Sequence, residues 1–189
     1  MKQEEVIEIV HEGLKILEKE DDWLLKNDLS ERSIAHRLAC HLQHLFDGYC
    51  VDCEYNGAMR GEVYARKKVQ MVKEQLLAAE LKLREIEKDF LADQLIERSA
   101  YPDIIVHKRG HNDDNLCIIE IKKTTSLVGM EYDEIKLRSY TRHELDDALC
   151  YQVGIFIEIK TGGDERGYSL MFCQNGGRLT REGNDHEHN

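Results

Sequence analysis

"YPDIIVHKRGHNDDNLCIIEIKKTT", residues 101–125, is the stretch that decides the fold. Two apolar runs, 103–108 and 116–122, flank the polar segment "RGHNDDN", so the stretch reads as a β-hairpin. Strand side chains alternate between faces with period two. Leu116, Ile118, Glu120 and Lys122 therefore share one face of the second strand, with Cys117, Ile119 and Ile121 on the other. In the first strand Asp103 shares a face with Ile105 and His107. Glu120 and Lys122 stand about 7 Å apart along their strand. Pairing of the two strands can bring Asp103 beside Glu120, although a loop of this length leaves the register open.

Two carboxylates held together repel and raise one pKa unless a cation lies between them. Oxygen ligands of this kind suit a hard divalent metal such as Mg²⁺ or Mn²⁺. Such a metal polarises a phosphoryl oxygen and lowers the pKa of a bound water. A lysine beside that water can orient it, take its proton, or stabilise developing negative charge. The set points to metal-assisted hydrolysis of a phosphodiester. The plainer reading makes Asp103 the start of a strand and Glu120/Lys122 a solvated pair. Glu-x-Lys alone is a weak signal, but a Pro-Asp placed 17 residues before Glu120 makes it more specific.

The remaining chain supplies the frame. Residues 3–19 place Val6, Ile9, Val10, Ile16 and Leu17 at helical spacing. Over 30–46 a second helix gathers Ile34, Ala35, Leu38, Leu42, Leu45 and Phe46 on one side, and Gly48 ends it. "YCVDCEYN" follows as a short strand closed by Asn56-Gly57. Between Glu62 and Ala100, with no Gly or Pro, Ala65, Val69, Val72, Leu76, Ala79, Leu83, Ile86 and Phe90 make an apolar heptad stripe. One helix of that length would extend roughly 50 Å. It either packs on its own domain or pairs two copies, as a homodimer through 62–96. Helical character returns over 131–150, and "YQVGIFIEI" and "RGYSLMFC" read as strands.

The order is helix, strand, long helix, hairpin, helix, strand, strand. That predicts an α/β class with a mixed central β-sheet flanked by helices. It also predicts a single domain over 1–189, a helical insertion at about 60–100, and a loose polar tail from about 176.

At 41% apolar and 33% charged residues, the composition suits a folded chain and argues against disorder. No apolar run approaches the roughly 18 residues a membrane span needs, and the acidic, amphipathic N-terminus does not read as a signal peptide. A cytoplasmic location with six reduced cysteines is the expectation, with no membrane partner. The net charge of −11 is lodged at the two ends of the chain. Residues 1–59 carry 6 basic and 13 acidic side chains, and residues 143–189 carry 4 and 9. Residues 60–100 have 9 against 8 and residues 101–142 have 7 against 7, so the charge does not exclude a nucleic acid there. Arg60, Arg66, Lys67 and Lys68 are the densest basic cluster of that middle stretch.

Pro102-Asp103 with Glu120-Ile121-Lys122 resembles the signature of the restriction-endonuclease-like superfamily of PD-(D/E)xK nucleases. The likeness covers residues 28–160 in element order, on few signature residues. It implies a restriction-endonuclease-like core of mixed sheet and flanking helices, here with a long inserted helix. It also implies metal-dependent phosphodiester cleavage and a metal touched by the main-chain carbonyl of Ile121. Many members carry a further acid on the helix before the first strand.

Helix geometry offers that acid. With Glu31 at 0°, Leu38, Leu42 and Leu45 fall within about 40° of it, so a carboxylate sits mid-stripe on an apolar face. A local alternative is a capping box in "DLSE", with Asp28 as N-cap and Glu31 at N3. Glu54 is a rival third acid, but it shares its strand face with Asp52, which suits an exposed face better. Asp133, Lys136 and Tyr140 recur at spacings of 3 and 4 as a polar helix edge, from which Lys136 and Tyr140 could reach a phosphate. Cys50 and Cys53, three apart on a strand, face opposite ways and make a poor zinc pair, even with His41 and His44 nearby.

The expectation is thus a Mg²⁺- or Mn²⁺-dependent nuclease acting on DNA ahead of RNA. Its centre is Glu31, Asp103, Glu120 and Lys122, with Asp103, Glu120, Ile121 and Glu31 about the metal. The alternative is a non-catalytic, nuclease-like module that binds a protein or nucleic-acid partner.

Overall fold

Three helices lead the chain: α1 (Gln3–Glu20), α2 (Asp22–Lys26) and α3 (Glu31–Leu45). Five strands follow, β1 (Cys50–Cys53), β2 (Gly57–Arg60), β3 (Val63–Arg66), β4 (Lys68–Val72) and β5 (Leu95–Ser99). The hairpin is β6 (Ile104–His107) and β7 (Cys117–Lys123), succeeded by helix α4 (Glu131–Tyr140). Strands β8 (Val153–Ile159), β9 (Tyr168–Gln174) and β10 (Gly177–Leu179) complete it. This computed structural model describes residues 1–55, 57–60, 63–66, 68–72, 95–99, 101–110, 112–127, 130–143 and 149–179, and of 58–99 the backbone alone.

Six strands form one mixed sheet in the order β1-β6-β7-β8-β9-β10. β7 and β8 run parallel and every other pair is antiparallel. A parallel pair needs a crossover, and α4 lies in that connection. The central strands are buried on both faces, which is why they read as nearly unbroken apolar runs. Alternate residues serve different layers. Ile104, Val106, Ile119, Ile121, Ile155 and Ile157 pack with α1 and α3 through Val10, Leu14, Leu17, Ile34, Leu38 and Leu42. Ile105, Ile118 and Phe156 point the opposite way, onto Leu137 and Tyr140 of α4. Leu116, expected to share the face of Ile118, lies just outside β7 and joins the α1/α3 layer instead.

Glycine sets the helix spacing at two points. A Cβ on Gly13 would meet Leu42 Cδ2 at 2.5 Å, so α1 and α3 cross at a distance only a bare backbone permits. A Cβ on Gly154 would stand 3.2 Å from Leu137 Cβ, where α4 lies on β8. No described helix is long and apolar enough to cross a membrane.

The structure departs from the expected elements in three places. Residues 63–66, 68–72 and 95–99, assigned to one long helix, are strands paired as β2–β3 and β4–β5. Val63, Val69 and Val72 are β-branched and serve a ladder as readily as a helix stripe. One continuous helix over 62–96, on which the expected homodimer depended, is therefore not what the chain forms. Residues 73–94, the middle of the stripe, lie outside the described residues. The tail begins later than 176, because β10 pairs back on β9 around Asn175 and Gly176, both at positive φ (49° and 74°). Asn-Gly is the favoured pair for such a two-residue hairpin turn. Lastly, α3 begins at Glu31 with Ser30 as its N-cap, the Ser30 hydroxyl accepting the Ser33 amide. The capping box led by Asp28 does not form.

Asp28 has a different task. Its Oδ1 accepts the hydroxyls of Thr161 at 2.7 Å and Thr125 at 2.8 Å, and Lys123 Nζ lies 3.0 Å away. The amides of Gly162 and Gly163 donate to Leu25 and Lys26 carbonyls alongside. The segment entering α3 is thereby tied to the ends of β7 and β8. Thr161, Lys123 and Thr125 hold the Asp28 carboxyl well below the usual range, at about 2. A group depressed on folding stabilises above its unfolded pKa and loses that contribution as pH falls through its folded value. Asp28→Asn should therefore lower the thermal midpoint at neutral pH. The gap from wild type should close between the unfolded value of about 3.9 and the folded value of about 2. Thermal melts across acid pH check this; a gap that stays constant to strongly acid pH would assign the effect to the hydroxyl contacts rather than the charge.

Candidate functional site

The register of the hairpin settles what its loop left open. Ile104 pairs Ile119, Ile105 pairs Ile118 and Val106 pairs Cys117. Asp103 directly precedes Ile104 and Glu120 directly follows Ile119, so the two acids lie at the same end of the hairpin. Asp103 turns its Oδ2 onto the amide of Ile121 at 2.8 Å. Ile121 thus meets the site through its N–H, while its side chain packs in the α1/α3 core.

Glu120 lies between the sheet and α4 and is 2% exposed. Its Oε2 is 2.8 Å from Lys136 Nζ, and its Oε1 is buried with no hydrogen-bond partner among the described residues. Lys136 also reaches Asp133 Oδ1 at 2.8 Å, and its ammonium stands 5.4 Å from the centre of the Tyr132 ring. Asp133 Oδ2 lies 3.4 Å from Lys122 Nζ, which is 3.9 Å from Glu31 Oε2. Glu31 Oε1 accepts the Lys123 amide at 3.1 Å, so the first residue of α3 caps the end of β7. A chain of charges runs Glu31, Lys122, Asp133, Lys136, Glu120, with Asp103 on the neighbouring strand.

Burial pushes the Glu120 carboxyl up to about 8; Lys136 opposes this, while Asp103 and Asp133 add to it. Asp103 is raised for the same reason, with the Ile121 amide working against the shift. Burial disfavours the Lys136 charge, but Glu120 and Asp133 outweigh it and hold the ammonium above its usual value. Low-dielectric surroundings make each of these pairings strong and any unpaired member costly.

The donors are all carboxylate oxygens, the type a hard divalent cation takes, and the partnerless Glu120 oxygen is one such donor. In this arrangement, however, among the described residues no three His, Cys, Asp or Glu side chains converge closely enough to ligate one ion. Two ammonium groups stand between the acids, and Asp103 is turned to the backbone. The donor type suits such an ion, but the acids as arranged do not surround one. Two cavities open beside them. One of about 220 Å³ is lined by Asp103 with Arg32 and Glu54, and one of about 330 Å³ by Lys122, Lys123 and Glu158.

Of the expected residues, Glu31, Asp103, Glu120, Lys122 and Lys136 are thus brought into one neighbourhood. Tyr140 is not on a polar edge. It is fully buried against Tyr151, because Leu137 and Tyr140 together form the apolar stripe of α4. Glu54 follows β1 at positive φ (48°) and pairs with Arg32 at 2.9 Å. His41 is committed to buried Asp21 at 2.6 Å. Asp133 was not among the expected site residues, yet it bridges both lysines. The angle test applied to Glu31 finds it: with Asp133 at 0°, Leu137 and Tyr140 fall within about 40°.

Comparison with protein-family models, curated proteins and solved structures gives no match for this chain.

The Tyr140 hydroxyl is buried without a partner among the described residues. Burial lifts its pKa well above the ordinary value, and Glu120 adds to the effect. An unsatisfied buried hydroxyl costs about 1–3 kcal/mol, so Tyr140→Phe should leave stability unchanged or raise it by about 1 kcal/mol. Denaturant unfolding measures this. A loss above about 1 kcal/mol would show that the hydroxyl is satisfied.

Proposed function

We propose that the chain is a divalent-metal-dependent phosphodiester hydrolase of the PD-(D/E)xK kind, acting on nucleic acid, with DNA ahead of RNA. The observation that carries this reading is the hairpin register that brings Asp103 and Glu120 to the same end of the strand pair, with Lys122 two residues further along. In this reading Asp103 and Glu120 would hold Mg²⁺ or Mn²⁺, with Glu31 beside them at the end of β7. Such an ion would supply Lewis-acid polarisation of the phosphate and a more acidic water.

The protein's own groups do the remaining work. Lys122 holds the attacking water and stabilises the negative charge that grows on the phosphate. Asp133 at 3.4 Å and Glu31 at 3.9 Å restrain that ammonium from both sides. One cavity is lined by Asp103 and the other by Lys122, so each of these two groups has open space beside it. A cytoplasmic location accompanies the reading, consistent with six cysteines of which none is in a disulfide.

A second reading is a non-catalytic, nuclease-like module. It is favoured by the way two lysines already neutralise the acids. Purified protein incubated with plasmid, single-stranded DNA and RNA in Mg²⁺ or Mn²⁺ tests the first. Asp103→Ala and Lys122→Ala should each slow cleavage at least about a hundredfold. Equal activity in wild type and both variants would sink the assignment. Calorimetric Mn²⁺ binding that is absent, or unaltered by removing Asp103 and Glu120, would favour the module.

A further inference from the structure

One flank of α3 lies along β1, the edge strand of the sheet. Arg32, His36, Cys40 and Gln43 fall within about 80° of one another around the helix. Both ends of that flank are fastened. Arg32 Nε is 2.9 Å from Oε1 of Glu54, just past β1. The Gln43 carboxamide donates to the Tyr49 carbonyl at 3.0 Å and accepts the Val51 amide at 2.9 Å. His36 and Cys40 stand between these fastenings. A helical side chain leans towards the N-terminus, over the turn before its own Cα. Cys40 does so, with its Sγ 3.8 Å from His36 Nε2. From the strand, the Cys53 thiol reaches the carbonyl of Ala35, the residue before His36, at 3.9 Å. Two sulfurs from two elements therefore meet the same turn of α3, and neither is in a disulfide.

We infer that Cys40 and Cys53 are an oxidation-sensitive pair, which a hydroperoxide joins in a disulfide that staples α3 to the edge of the sheet. The surroundings give each thiol its part. Cys40 is half-buried and lies against His36, which can take the thiol proton. Arg37 is held above its ordinary value chiefly by its hydrogen bond to Asp21, and a negative Cys40 sulfur adds to this, so a cation is also near. Such surroundings suit a reactive sulfur. Cys53 is the opposite case. Loss of water beneath α3 pushes its thiol up to about 11, and of the neighbouring charges that add to the shift Cys40 is the largest. Cys40 therefore reacts first. Its sulfur attacks one peroxide oxygen, the O–O bond breaks, and the second oxygen leaves as water or an alcohol with the thiol proton. The sulfenic acid so formed is neutral, and with the Cys40 charge gone Cys53 gives up its proton more readily. The Cys53 sulfur then attacks the Cys40 sulfur, the S–S bond forms, the S–O bond breaks, and the hydroxyl leaves as water with the Cys53 proton. The two thiols are oxidised by one electron pair, which the peroxide takes up. Cys53 also lines the cavity of Asp103, so the crosslink rebuilds one wall of that cavity.

The test treats the full, reduced chain with hydrogen peroxide, alkylates it and cuts after acidic residues, so that Asp47 and Asp52 separate Cys40, Cys50 and Cys53. Mass spectrometry should find the Cys40 and Cys53 peptides joined, and dithiothreitol should part them. The link should be lost in Cys40→Ser and in Cys53→Ser and kept in Cys50→Ser. Dimedone, which captures sulfenic acid, should label Cys40 in Cys53→Ser and leave Cys53 unlabelled in Cys40→Ser. Circular dichroism melts verify that each variant is folded. Wild type in which Cys40 and Cys53 stay unlinked, or in which Cys50 replaces either of them, overturns the inference, and that result depends on no variant. Dimedone on Cys53 but not on Cys40 overturns the order of reaction.

Discussion

A carboxylate carried into the seam between a sheet and its covering helix requires a cation, and Glu120 is that carboxylate. Its side chain has lost its water, and one oxygen reaches an ammonium while the other reaches nothing among the described residues. An ion so placed is tolerated only with a partner, because desolvation of a charge outweighs most local gains. The partner comes from α4, which lies on this face because β7 and β8 are parallel and their connection has to cross over. Topology thus delivers the counter-charge. Lys136 and Asp133 arrive with the same helix turn that packs Leu137 and Tyr140 onto Ile118 and Phe156.

The opposite face contributes by a different route. α3 packs on the sheet through Leu38 and Leu42, and its first residue reaches past the sheet end to the Lys123 amide. That reach depends on how the chain enters the helix. Asp28 secures the entry to the ends of β7 and β8 through two threonines and a lysine. The Gly13 contact with Leu42 sets how closely α1 backs α3. Structural and chemical roles are divided between neighbours here: Asp28 clamps, Ser30 caps, and Glu31 faces the lysines.

Much of this was legible before any coordinates. Period-two alternation put Glu120 and Lys122 on one strand face, and helical angles put Glu31 on an apolar stripe. Both patterns follow from local backbone geometry, and both elements form. The same angular pattern singles out Asp133, which shares a stripe with Leu137 and Tyr140. Tyr140 misled because its hydroxyl suggests a polar edge, while its ring belongs to the apolar stripe. Residues 63–72 misled for a related reason: the apolar spacings of three and four that run through Val69 and Val72 do not separate a helix from short strands.

What the sequence by itself determined is the central strands and the helices that cover them, and the faces on which the acids stand. Those depend on the chain's own repeat distances. Only the tertiary structure decided that Asp103 and Glu120 lie at the same end of the hairpin, that Lys136 rather than Lys122 pairs with Glu120, and that Asp133 links the two lysines. Each of these joins residues on different elements, so it depends on strand register and on the closeness of α4 to the sheet. Register is chosen by burying both faces at once, and no local pattern records which charges that choice leaves opposite one another.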